Sequence, residues 1–120
     1  MSHSVLSLGE DPRGALEQIR EASRAAPVLV FKRSPICPVS AQAERELSRF
    51  LGELSTSLTL AAIDVIAERE LARGLVAELG VRHESPQALW FEAGELVWHG
   101  SHGDLTAKRF DELIGEPRPD

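Results

Sequence analysis

The chain has a single cysteine, Cys37, among 120 residues, so no disulfide can close within it. That excludes a disulfide-stapled scaffold and leads us to expect a reducing, cytoplasmic setting. Any disulfide this protein forms is shared with another molecule. Basic residues are also in short supply: 13 Lys and Arg against 19 Asp and Glu leave a net charge of −6. A protein that grips a phosphate backbone needs a basic face, so nucleic acid is excluded as a partner. No apolar run approaches the ~20 residues that span a bilayer. The opening "MSHSVLSLGE" lacks a basic stretch followed by an apolar core. Neither a membrane contact nor a secretory signal is expected. There is no repeat and no low-complexity tract.

What is present is an ordinary globular mixture, 42% hydrophobic and 27% charged, in a length that supports one core rather than two. We expect a single domain over 1–120, with a core from about 11 to 115 and a frayed tail at 116–120. Asp11 and Pro12 read as N-cap and first residue of a helix whose apolar positions include Leu16 and Ile19. "VLVF" (Val28 to Phe31) has the continuous apolar pattern of a strand buried on both faces. Ala43, Leu47, Phe50, Leu51 and Leu54 form the apolar stripe of an amphipathic helix. A strand over Leu58 to Val65 and a helix closed by Gly80 follow. Two strands then flank a hairpin turn at Ala93-Gly94, and a last helix carries Leu105, Phe110, Leu113 and Ile114. Two strands joined by a crossover helix should be parallel, and the hairpin adds an antiparallel pair. The expected class is α/β, thioredoxin-like, with a mixed central sheet flanked by helices on both faces. Other small α/β sandwiches fit the same pattern.

"SPICPVS" (Ser34 to Ser40) lies between the first buried strand and the amphipathic helix. Pro38 is favoured in a first helical turn, which puts Cys37 at or beside the helix N-terminus. Unpaired N–H groups and the positive end of the helix dipole favour a negative charge there. The thiolate is the form of cysteine that attacks disulfides. Ser40 stands where a dithiol enzyme has its second cysteine; its hydroxyl can donate to a thiolate but cannot resolve a mixed disulfide. The chemistry available is monothiol exchange completed by an external thiol. The competing reading is a buried structural cysteine ahead of a Pro-initiated helix. "HESPQALWF" places Ser85-Pro86 directly before a strand. In thioredoxin-like folds a cis-proline here opposes the reactive cysteine, and the preceding residue offers its backbone to the substrate. A trans proline at a strand start is the alternative.

Together, "FKRSPICPVS", "HESPQALWF" and "VWHGSHGDLTAKRF" resemble the monothiol bacilliredoxin family of the YtxJ type, over about Val28 to Ile114. The resemblance implies a thioredoxin-like fold and removal of bacillithiol from S-bacillithiolated proteins. It makes Cys37 the nucleophile, Pro86 the cis-proline and Ser40 the residue in the resolving position. Ile36 departs from the small polar residue common before the family's cysteine, and Val39 replaces isoleucine.

Several further residues are candidates. Lys32, Arg33 and Arg82 would attract the carboxylates of a small thiol if they converge on the cysteine, though solvated charges are the default. His83 would raise the positive potential or shuttle a proton, or is a plain loop histidine. His99 and His102 make too few ligands for a metal site, and Trp90 and Trp98 read as packing. The expected co-substrate is bacillithiol with no resident cofactor, and the expected partners are S-thiolated client proteins and the low-molecular-weight thiol. The protein itself is expected to be a monomer or weak dimer. Two other functions fit less well: an iron–sulfur carrier of the glutaredoxin type, against which Pro38 counts, and a binding module whose cysteine only packs.

Overall fold

The computed structural model describes residues 3–115. The elements run β1 (Ser4–Val5), α1 (Pro12–Ala22), β2 (Val28–Arg33), α2 (Pro38–Gly52), β3 (Thr59–Asp64), α3 (Arg69–Leu79), β4 (Gln87–Glu92), β5 (Glu95–Ser101) and α4 (Ala107–Gly115). A 3₁₀ turn, His102–Asp104, precedes α4. Local chemistry sets most boundaries. The Asp11 carboxylate accepts from the Gly14 N–H at 2.9 Å and Pro12 opens α1. Gly80 ends α3 in the left-handed region, φ 70°. Ala93 and Gly94 both take positive φ, 52° and 84°, as a tight hairpin turn matched to strand twist requires.

The sheet order is β1-β3-β2-β4-β5. β1, β3 and β2 are parallel; β4 and β5 are antiparallel. β1 and the 3₁₀ turn have no counterpart in the sequence reading. β1 is two exposed residues with no periodicity, held by the flanking bonds Ser4 N–H to Leu58 O and Leu6 N–H to Leu60 O, 2.9 Å each. The expected tail, 116–120, lies outside the described residues.

β2 is central and buried on both faces, so its side chains divide by parity. Val28 and Val30 join Leu16, Ile19, Leu71 and Leu75 under α1 and α3. Leu29 and Phe31 join Leu47, Phe50, Trp90 and Phe110 under α2 and α4. Lys32 falls on the α1/α3 face and Arg33 on the α2 face. That parity positions the site.

α1 and α3 pack closely enough that a Cβ on Gly74 would lie 2.5 Å from Cγ of Pro12. Alanine in place of glycine in a helix gains about 1 kcal/mol, but a methyl forced against a rigid ring costs about 1–3 kcal/mol. We expect the clash to win: Gly74→Ala lowers the urea midpoint, and a raised midpoint would show that the two helices can part freely.

Candidate active site

Cys37 is the N-cap of α2, and its carbonyl accepts the first helical bond from the Ala41 N–H at 3.1 Å. Pro38 takes the first helical position, which needs no N–H. The Val39 and Ser40 amides in the same turn have no intrahelical acceptor. The cysteine side chain makes no capping bond and is half-buried. The thiol therefore meets the positive end of α2 with room for a partner.

Ser40 has a different role from the one its spacing suggested. It is fully buried; its Oγ accepts from the Ser34 N–H at 2.9 Å and donates to Oε2 of Glu44 at 3.4 Å. The single hydroxyl proton goes to Glu44, not to sulfur. Ser40 thus fastens the loop that carries Cys37 back onto α2. Ser40→Ala leaves the buried Ser34 amide unpaired, at a cost of about 1–3 kcal/mol. Equilibrium unfolding checks this, and a variant as stable as the parent would contradict it.

Lys32 and Arg33 also sit elsewhere than expected. Lys32 is fully buried and does not reach the cysteine's surface. Its Nζ lies 2.8 Å from Nδ1 of His83 and donates to Oε1 of Gln87 at 2.6 Å. Burial pushes Lys32 down from 10.5 to about 8; Arg73 lowers it further and Glu84 opposes. Arg33 faces α2, where Nε meets Oε1 of Glu44 at 2.9 Å and Nη1 lies 3.6 Å from Asp64. Arg82 pairs with Glu84 at 3.4 Å. None of the three lines the hollow beside Cys37. The cause is strand parity, which sends Lys32 inward and Arg33 to the opposite face.

His83 does line that hollow. Burial lowers its pKa first, then the charges of Lys32 and Arg73, with Glu84 opposing. A protonated Lys32 donating to Nδ1 fixes the neutral ring with its proton on Nε2. His83 is therefore a neutral donor rather than a source of positive potential.

The hollow is an open cleft of about 630 Å³ bounded by Ser34, Ile36, Cys37, Pro38, Val65, Ile66, Arg69, Arg73, His83 and Ser85. The Ser85–Pro86 bond is cis, as the sequence pattern anticipates. Among the described residues the Ser85 Oγ is buried without a partner. Ile36, Val39 and Ile66 are exposed by 80%, 45% and 53%, and Ile36 and Ile66 give the cleft an apolar rim. Asp64 shapes the loop that presents Ile66: its Oδ1 accepts from the Ala67 and Ile66 amides at 3.0 and 2.9 Å. His99 lines a separate hollow of about 420 Å³ with Trp98, Asp104 and Arg109. The residues that sequence reasoning missed are Arg69 and Arg73, one turn apart on α3. Nothing local in "ERELARGLVAEL" distinguishes them from a solvated helix face.

The family profile of the monothiol bacilliredoxin BrxC matches residues 11–110, the whole of this arrangement from the α1 cap to α4. The chain belongs to the monothiol bacilliredoxin family. A solved thioredoxin-fold protein classed as an oxidoreductase is 32% identical, with a TM-score of 0.72 over 90% of this chain and 91% of its own. The thioredoxin of Fasciola hepatica (18% identity, TM-score 0.65, covering 92% and 95%) shares the fold. So does Trxlp from Edwardsiella tarda (20%, 0.66, covering 92% and 98%). The bacilliredoxin family and its thioredoxin-like α/β fold make this chain a thiol oxidoreductase, with Cys37 as the one thiol available for exchange.

Proposed function

We propose that this bacilliredoxin removes a low-molecular-weight thiol, bacillithiol, from S-thiolated client proteins through Cys37. The observation that carries the reading is the placement of the only thiol: capping α2, in a cleft sized for a small molecule, with no second sulfur to resolve what it captures.

In the first step the Cys37 thiol gives its proton to solvent and the thiolate attacks the small-thiol sulfur of the client's mixed disulfide. A bond forms between Cys37 and that sulfur, the client's disulfide breaks, and the client leaves as a thiolate that takes up a proton. In the second step an external bacillithiol thiolate attacks the sulfur held on Cys37. Cys37 returns as thiolate and a bacillithiol disulfide departs. Net, one client mixed disulfide and one free bacillithiol become one client thiol and one bacillithiol disulfide. No resident cofactor takes part.

The unpaired amides of the first α2 turn lie beside the position where the Cys37 sulfur attacks and leaves. The exposed Ile36, Val39 and Ile66 suit a client polypeptide, and Ser85, which precedes the cis-proline, lines the same cleft as Cys37. The external thiol must be kept reduced, which accords with the cytoplasm. Among the described residues no helix is long and apolar enough to cross a membrane.

Turnover tests the monothiol cycle. Mixed with excess bacillithiolated client and no free thiol, the protein should free one equivalent of client and stop; adding bacillithiol should restart release. Release beyond one equivalent without added thiol would contradict it.

A further inference from the structure

Arg69 opens α3 and Arg73 follows one turn later on the same side; both are exposed and both line the cleft that holds Cys37. Their electrostatic setting is unusual for this chain. Each of the other described arginines holds a carboxylate or amide oxygen within 3.6 Å. Among the described residues Arg69 and Arg73 hold none, although acidic residues outnumber basic ones by 19 to 13. Arg69 also sits at the positive end of α3, where the dipole disfavours a cation. Its neighbour Glu68 is occupied, with Oε1 accepting from the Asp64 N–H at 3.0 Å. Two guanidiniums without a carboxylate partner, one of them against the helix dipole, do little for folding. Both also act on the wall behind them: Arg73 on Lys32, and both arginines on His83.

We propose that Arg69 and Arg73 form a carboxylate-binding subsite that selects the small thiol. The inference rests on the reading of Cys37 as acceptor of that thiol and deepens it: the favoured thiol carries carboxylates. A guanidinium presents paired N–H donors that match a carboxylate, and two of them one turn apart hold an anion against the cleft wall while its sulfur is at Cys37. The client chain then remains over the apolar rim. The two halves of the mixed disulfide are thus told apart, which directs attack to the small-thiol sulfur.

The test compares the rate constants for transfer to Cys37 from one neutral carrier peptide bearing either bacillithiol or mercaptoethanol, which lacks a carboxylate. We expect the wild type to prefer the bacillithiol disulfide. Arg69→Gln/Arg73→Gln should lower the ratio of the two rate constants about tenfold, the factor that 1.4 kcal/mol represents. Raising the salt should also lower the wild-type ratio, since the pair is exposed. Arg82→Gln, which removes a guanidinium outside the cleft, should leave it unchanged. An unchanged ratio in the double variant overturns the subsite. With the mercaptoethanol disulfide on an acidic carrier peptide as a further arm, a loss in the double variant that follows the carrier's acidity instead of the small thiol also overturns it, making the arginines a client dock. If wild type reacts with both disulfides without preference, the subsite falls while thiol transfer stands. Reaction with neither overturns both.

Discussion

Cys37→Ser should reduce small-thiol transfer to the uncatalysed background while leaving the fold intact. Serine nearly matches cysteine in size, but its hydroxyl does not ionise near neutral pH and forms no disulfide. No other sulfur nucleophile stands by, because Cys37 is the chain's only cysteine. The same substitution favours folding. Serine is a preferred N-cap, and at position 37 its oxygen can accept from the free amides of the first α2 turn. The Cys37 side chain makes no such bond, so the variant should gain up to about 1 kcal/mol in urea unfolding. Activity and stability then move in opposite directions, a pairing that general structural damage cannot produce. Appreciable transfer by Cys37→Ser would remove Cys37 from the chemistry.

The second large effect is a dependence of stability on pH set by Lys32. The folded chain releases this proton near pH 8, whereas an unfolded lysine holds it to about 10.5. Below pH 8 both states are protonated and the full penalty of burying the ammonium applies. Between 8 and 10.5 unfolding takes up a proton, so stability rises with pH across that window. At 1.36 kcal/mol per pH unit the rise amounts to roughly 3 kcal/mol. Lys32→Met keeps the length of the side chain and removes the titration. Urea unfolding from pH 7.5 to 10.5 should show wild type gaining on the variant by about that amount. A constant difference across the range would mean that water or a counter-charge solvates Lys32. The variant also frees Nδ1 of His83, so the ring beside the thiol loses its fixed tautomer.

The fold was legible where one local signal decided the geometry. Asp11-Pro12 marked the start of α1, Ala93-Gly94 the hairpin, and the stripe from Ala43 to Phe50 the buried face of α2. Cys37 and Pro38 were readable because a proline one residue after a cysteine fixes both against a helix start. The directions of Lys32 and Arg33 are not legible in the sequence for a specific reason. The apolar run ends at Phe31, but the strand continues to Arg33, and its alternation turns one cation inward and the other toward Glu44. Ser40 stood at the right spacing for the sulfur, yet a carboxylate one turn along, Glu44, takes its proton. Arg69 and Arg73 had no sequence signal. Their meaning depends on α3 passing the thiol, a long-range fact of the fold that brings Arg69 and Arg73 into one cleft with Cys37. The cleft is therefore where topology adds most to the motif.

The most direct measurement is the intact mass of the protein after mixing with one equivalent of bacillithiolated client and an acid quench. The expected result is a single added bacillithiol on wild type, mapped by peptide analysis to Cys37, together with client at its free-thiol mass. A covalent complex joining Cys37 to the client, with bacillithiol released, would contradict it.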